Sequence, residues 1–141
     1  EPTQKMSKSD ENENAVVRIL DTPDAIMRKF KRAVTDSDSS IIFDPENKPG
    51  VSNLLTIYSC FSGKTIEEAE REFDGKGYGD FKTAVGQVCC DKLIPVQEEY
   101  KRILADKAYL EEVMKKGADE ASYYARKTLS KVRRKLGFVN L

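Results

Sequence analysis

Histidine is absent from this 141-residue sequence, which also lacks an excess of charge of either sign and a long apolar run. The chain can therefore supply no Ser-His-Asp or Cys-His nucleophile and no histidine general base, so any catalysis must rely on charge and positioning. The formal net charge is zero, which gives no overall attraction to nucleic acid. No apolar run is long enough to cross a bilayer and no signal peptide is visible, which predicts a cytoplasmic protein without a membrane partner.

The cysteines do not form a metal or redox motif. Cys60, Cys89 and Cys90 are odd in number, contain no C-x-x-C pair and have no histidine to complete a metal site. Adjacent residues of a helix point to different sides, so Cys89 and Cys90 are poorly placed to bridge each other. We therefore expect three small, buried, apolar side chains in a reducing compartment and no protein-bound metal.

Apolar residues recur at helical spacing along most of the chain. This spacing places apolar stripes along one side of about five or six predicted amphipathic helices. Because no helix can bury its apolar stripe alone, we expect an all-α helical bundle. Residues 1–14 are polar and are predicted to form a flexible N-terminal loop. The Val- and Ile-rich run from Ala15 to Leu20 predicts at most a short strand.

Local signals mark several helix ends. Thr22 followed by Pro23 predicts the start of one helix, because threonine caps well and proline suits the first helical position. Thr65 and Glu68 have the spacing of a capping box, which predicts another start. Gly63 is expected to end the helix between them.

Two residues are expected to interrupt the later stripes. Pro95 removes a backbone donor and clashes with the preceding turn, which predicts a kink or two abutting helices. Gly117 is predicted to end a short helix that precedes the last one. The last helix is expected to bury an apolar side formed by Ala121, Ala125, Thr128, Leu129, Val132 and Leu136.

The first candidate for chemistry is the segment Lys5-Met6-Ser7-Lys8-Ser9. Its two ammonium groups and two hydroxyls are too polar to pack, and such a segment can wrap a polyphosphate, with lysines as movable charges and backbone amides as donors. Considered alone, such a segment is more often a simple polar tail, so the signal by itself is weak.

The second candidate is a basic face on the last helix, next to Tyr123. Basic and aromatic groups together suit RNA phosphates and unstacked bases, and the alternative is a solvated helix surface. This face is formed by Arg126, Lys127, Lys131, Arg133 and Arg134.

Two further segments are weaker candidates. Gly75–Gly79 lacks the Gly-Lys-Ser/Thr ending of a P-loop and follows no strand, so a joint between two helices is the favoured interpretation. A cationic group near residue 30 can border a nucleic-acid path, although a solvated helix face is the default. It consists of Arg28, Lys29, Lys31 and Arg32.

Together these segments resemble the bacterial-type tryptophanyl-tRNA synthetases, a group of class I aminoacyl-tRNA synthetases. Lys5–Ser9 matches the signature loop of the class, and Glu1–Gln4 resembles the lead-in of the tryptophanyl group. Cys89-Cys90 departs from the aliphatic residues usual there. The other similar stretches are residues 10–12, 31–37, 48–55, 75–79 and 125–129.

The resemblance implies an enzyme that activates tryptophan with ATP and transfers it to tRNA(Trp). ATP arrives with Mg²⁺ as a substrate, and Lys5 and Lys8 are the implied catalytic contacts to its phosphates. The implied ATP-binding set is Lys5, Met6, Ser7, Lys8 and Ser9, with the backbone at Met6 beside the adenine. The other implied partners are L-tryptophan and a second copy of the parent enzyme, and DNA is not expected.

The resemblance also implies a division of the chain. Residues 1–14 would be the catalytic loop segment, and residues 15–141 a helical domain of the tRNA anticodon-binding type. The Rossmann catalytic domain, which carries the histidine signature of the family, would lie upstream. We therefore expect a C-terminal piece that is inactive alone. The alternative is a stand-alone helical tRNA-binding module without catalysis.

Overall fold

The computed structural model describes residues 12–138, and these form five α-helices. They are α1 (Pro23–Lys31), α2 (Pro49–Ser62), α3 (Ile66–Phe73), α4 (Tyr78–Ala105) and α5 (Lys107–Leu136), preceded by a 3₁₀ turn at Glu13–Ala15. No strand occurs within residues 12–138, so the all-α prediction is confirmed. The contacts divide the described chain into two units, residues 12–98 and residues 99–138.

Helix starts and stops follow the local sequence signals. Thr22 Oγ1 accepts a hydrogen bond from the Ala25 amide at 3.3 Å, and Pro23 occupies the first helical position. Thr65 Oγ1 accepts from the Glu68 amide at 3.2 Å, while the Glu68 carboxylate accepts from the Thr65 amide at 2.8 Å. These caps satisfy amides that a helix start leaves unpaired, and all three predicted boundaries, including Gly63 after α2, are confirmed.

The first unit has one apolar core to which α1, α2, α3 and α4 all contribute. Phe73 lies between two rings, with its centroid 5.0 Å from that of Tyr58 and 4.9 Å from that of Phe81. Aromatic groups bury large areas, so this stack holds α2, α3 and α4 together. The other buried apolar side chains are Ile26, Phe30, Ile41, Val51, Leu54, Leu55, Ala69, Val85, Cys89 and Cys90.

The start of α2 lies directly against the backbone that follows α1. A Cβ atom on Gly50 would sit 2.3 Å from the carbonyl oxygen of Val34, far inside van der Waals contact. Only glycine allows this approach, because the opposing atom belongs to the backbone and has little freedom to move. Gly50 therefore fixes where the loop between α1 and α2 returns to the bundle.

The second unit consists of the end of α4 and the whole of α5. Asp106 caps α5 by accepting from the Tyr109 amide at 3.0 Å, and Gly137 ends it with a φ of 74°. No residue of α5 is buried in this structure, and Leu129 and Leu136 are 48% and 66% exposed. The prediction that the last helix buries its apolar side is therefore wrong for this chain.

Three further local predictions have different outcomes, and only the last of them is wrong. The run from Ala15 to Leu20, expected to form at most a short strand, forms none, because residues 12–138 contain no neighbouring strand to pair with it. Helix α4 continues through Pro95 as one element, which excludes two abutting helices, since its buried first half outweighs the loss of one backbone donor, about 3 kcal/mol. Gly117 lies inside α5 rather than at a boundary, because an isolated glycine costs a helix only about 1 kcal/mol.

None of the helices within residues 12–138 combines the length and the apolar character that a crossing of the bilayer requires.

Replacing Gly50 by alanine should lower the free energy of unfolding by about 1–3 kcal/mol, because the new methyl group would overlap the Val34 carbonyl oxygen. The matched control is Gly79→Ala, which changes the second residue of α4 and meets no atom within 4 Å. It should be neutral or stabilising by up to about 1 kcal/mol. Denaturant unfolding of both variants measures the difference, and equal stabilities would contradict the close approach.

Candidate functional site

The predicted phosphate-binding residues Lys5, Met6, Ser7, Lys8 and Ser9 lie outside the described residues. What the structure describes is the chain that follows them, from Asn12 onward, and the bundle to which it is attached.

The chain before α1 is attached to that helix through Lys29. The Lys29 ammonium donates to the Val16 carbonyl oxygen at 2.7 Å and to Asp21 Oδ2 at 2.6 Å. Asp21 Oδ2 also accepts from the Arg18 amide at 2.8 Å. Burial alone would raise the pKa of Asp21, but the hydrogen bond from Lys29 and the one from the Arg18 amide outweigh it and hold that pKa below its usual value.

The prediction that Lys29 lies on a solvated helix face is wrong. Its side chain is 7% exposed, whereas Arg28, Lys31 and Arg32 are exposed. A buried ammonium is tolerated only with partners, and residues 16–21 supply them by folding back over α1. The spacing of residues within α1 could not show this, because both partners come from the preceding loop.

A second side chain, Gln97 of α4, holds the same segment. Its Nε2 donates to the Ile19 carbonyl oxygen at 2.7 Å and to the Asp21 carbonyl oxygen at 2.8 Å. The amide group has two N–H bonds, so each carbonyl receives its own donor. The segment is thereby attached to α1 and to α4 at once. Sequence reasoning missed Gln97, since a lone glutamine in an amphipathic helix gives no signal.

A polar cluster centred on Lys48 lies at the start of α2. The Lys48 ammonium is 2.7 Å from Asp38 Oδ2, 3.4 Å from Asp36 Oδ1 and 3.2 Å from the Ser40 carbonyl oxygen. The Tyr78 hydroxyl, from the first residue of α4, donates to Asp36 Oδ1 at 2.6 Å. The cluster thus holds the loop after α1 against the first residues of two helices.

The electrostatics of this cluster favour its charged form. The hydrogen bond from Tyr78 lowers the pKa of Asp36, and the hydrogen bond from Lys48 lowers the pKa of Asp38 to about 2. The same bond to Asp38 raises the pKa of Lys48, whereas burial raises the pKa of Tyr78. Two carboxylates and one ammonium therefore remain ionised throughout the neutral range.

Three of the sequence stretches that carry the family resemblance meet at this cluster. Asp36 belongs to residues 31–37, Lys48 to residues 48–55 and Tyr78 to residues 75–79. The stretches can be identified from the sequence, but their contact with one another cannot, because it depends on the tertiary fold. Residues 75–77 lie in the joint between α3 and α4, as favoured from the sequence, and residues 78–79 begin α4; Gly75 has a φ of 72°.

The five side chains predicted to bind tRNA lie on α5 and are all exposed. The rings of Tyr123 and Tyr124 meet edge to face with their centroids 5.4 Å apart, and the Lys127 ammonium lies 5.8 Å from the Tyr123 ring. Such a cation and aromatic pair can contact phosphates and bases together. The tRNA role of these residues stays a prediction: Arg126, Lys127, Lys131, Arg133 and Arg134.

The cysteines and acidic residues are the chain's potential metal ligands. Within residues 12–138, no group of three or more Cys, Asp and Glu side chains could hold a metal ion. Cys89 and Cys90 are buried, unbridged thiols as predicted, and burial raises the pKa of Cys89 to about 12. Cys60 is exposed, which corrects the expectation that all three are buried, because it faces away from the core on α2.

Replacing Lys48 by methionine should destabilise the chain at neutral pH and change its acid sensitivity. The pKa of Asp38 is about 2 when folded and about 3.9 when unfolded. The ion pair with Lys48 therefore stabilises the folded chain at pH values above the higher pKa, and this stabilisation is lost as the pH falls towards 2. The gap in melting temperature between the original chain and Lys48→Met should shrink between pH 5 and pH 2. Lys31→Met, which removes an exposed ammonium from α1, should show no such trend, and a constant gap for Lys48→Met would contradict the pairing.

Comparison with known proteins agrees with the motifs. The family model of tRNA synthetases class I (W and Y) matches residues 1–91. A tryptophan–tRNA ligase of Bacillus anthracis is 50% identical over 97% of this chain and 41% of its own length, and one of Clostridium tetani is 49% identical over 99% and 41%. The chain thus spans about two fifths of the length of the curated relatives it matches.

A solved structure extends the similarity to the fold. The tryptophanyl-tRNA synthetase from Mycoplasma pneumoniae superposes with a TM-score of 0.74 at 28% identity, over 98% of this chain and 42% of that chain. Because the family model covers well over half of the sequence, from the Lys5–Ser9 loop into α4, the chain belongs to the class I tRNA synthetases for tryptophan and tyrosine.

Proposed function

We propose that this chain acts within a tryptophan–tRNA ligase, which activates tryptophan with ATP and transfers it to tRNA(Trp). The observation that carries the proposal is the extent of the similarity. Tryptophan–tRNA ligases of other organisms are about 50% identical over nearly the whole chain, including the segment Lys5–Ser9. Residues 1–14 would contribute the ATP loop, and residues 15–141 a helical tRNA-binding domain. A nucleotide-binding half would come from elsewhere in a parent enzyme that works as a cytoplasmic homodimer.

The chemistry of the loop follows from the reaction. Attack on the α-phosphate of ATP develops negative charge on the phosphate oxygens, and positioned cations lower the barrier by neutralising it. Lys5 and Lys8 would provide these cations, with Mg²⁺ arriving on the ATP. Ser7, Ser9 and the backbone at Met6 would hold the nucleotide. No histidine is needed for this role, which agrees with its absence from the chain.

The tRNA would meet α5. From Ala121 to the end the sequence has six basic residues and no acidic one, so the local charge is strongly positive although the net charge is zero. The exposed Tyr123 and Tyr124 rings add flat apolar surfaces on which an unstacked base can lie. A helix with no buried residue is also free to use its whole surface for a partner.

Exchange of pyrophosphate into ATP, with tryptophan or tyrosine supplied in turn, tests the activation step. The enzyme should be expressed together with the sequence that precedes Glu1 in its reading frame. We expect exchange with tryptophan only, and a loss of about 100-fold on Lys8→Met, the usual effect of removing one charge-stabilising donor. Lys31→Met on α1 is the matched control and should retain full activity. The 141-residue chain alone should show no exchange.

Other results would redirect the proposal. Exchange with tyrosine instead would assign the chain to the other branch of the family. No exchange with either amino acid, together with retained tRNA binding by the chain, would favour the stand-alone tRNA-binding module. Equal rates for Lys8→Met and Lys31→Met would remove the role of the loop.

A further inference from the structure

The attachment of residues 16–21 to the bundle limits the positions that are available to the proposed ATP loop, Lys5–Ser9. Val16 follows Ser9 by seven positions in the sequence. A chain of seven residues spans at most about 25 Å when fully extended. The end of the loop at Ser9 can therefore lie no farther than that from Val16, so the contacts that fix Val16 and the residues after it limit where the loop can lie.

The contacts that fix this segment are few and specific. Lys29 and Asp21 form an ion pair at 2.6 Å whose side chains are 7% and 15% exposed, and the Lys29 ammonium also holds the Val16 carbonyl oxygen. A charge pair this shielded from water is screened less than a surface pair and retains its geometry. It defines the position of Val16 relative to α1.

Gln97 adds a second support from another helix. Its one amide group holds the carbonyl oxygens of Ile19 and Asp21, which lie two residues apart at the bend before α1. Asp21 is thus held through its side chain by Lys29 and through its backbone by Gln97. Two supports from different helices resist rotation of the segment, whereas one alone would leave it free to pivot.

We propose that Lys29, Asp21 and Gln97 are positioning residues for amino-acid activation. They hold the segment after the ATP loop on α1 and α4, so that Lys5 and Lys8 reach the phosphates in a productive geometry. None of the three touches ATP. The inference rests on the proposed role of the loop, and it adds that the bundle takes part in activation through this attachment as well as in tRNA binding.

Gln97→Met is the sharpest test, because methionine keeps the length and flexibility of the side chain and removes the amide group that donates both hydrogen bonds. In the longer enzyme it should lower kcat/KM for ATP in tryptophan-dependent exchange by about 10-fold, the effect of a small misplacement of catalytic groups. The KM for tryptophan should not change. Gln87→Met is the matched control, since the Gln87 amide bonds only Asp91 in the next turn of the same helix, and it should leave every constant unchanged.

A double variant separates positioning from general destabilisation. If Gln97 acts through Lys8, the loss caused by Gln97→Met should largely vanish once Lys8 is already methionine. Equal constants for Gln97→Met and Gln87→Met, or losses from Gln97→Met and Lys8→Met that multiply, would overturn the inference while leaving the proposed function intact. If Lys8→Met alone had no effect, the proposed role of the loop would fail and the positioning role with it.

Discussion

The loop between α1 and α2 can lie on the bundle only because its polar groups have partners there. Lys48 is the most important of these, since its ammonium meets two carboxylates and a carbonyl oxygen of the loop at the first turns of α2 and α4. Further anchors follow along the loop: the Phe43 amide donates to Glu70 of α3 at 2.6 Å, and the Asp44 amide donates to Ser52 of α2 at 2.9 Å. Without these partners the loop would leave backbone groups unpaired near the core.

The same principle governs the chain before α1. Residues 16–21 contribute little to the core, but the Asp21 carboxylate and three of their carbonyl oxygens, those of Val16, Ile19 and Asp21, are paired with Lys29 and Gln97. In the first unit, apolar packing therefore fixes the positions of the helices, and a small number of charged or amide side chains fixes the positions of the loops. This division matters for function, because the proposed ATP loop precedes one of these supported segments in the sequence.

Much of the fold could be predicted because its signals are local. Thr22, Thr65 and Gly63 act on amides and carbonyls within one turn, and their boundaries are correct. The roles of Lys29, Lys48 and Gln97 could not be predicted from the sequence. Their hydrogen-bond partners lie up to 78 residues away, and the hydrophobic periodicity of the sequence gives no sign of such long-range pairs. Neither Pro95 nor Gly117 ends a helix, for a related reason: local propensity is a small term, and the rest of a long helix overrides it.

The candidate site divides in the same way. The Lys5–Ser9 motif and the basic residues of α5 could be identified from the sequence, because the order of residues in a motif and the charge of a segment are visible without the tertiary structure. We propose that the first unit and its loop serve activation and that α5 binds tRNA. Charging of tRNA(Trp) by the longer enzyme tests this proposal most directly, using a variant with Arg126, Lys127 and Arg134 changed to glutamine. We expect unchanged tryptophan activation, a raised KM for tRNA and a flatter dependence of tRNA affinity on salt. Unchanged charging, or a loss of activation equal to the loss of charging, would contradict it.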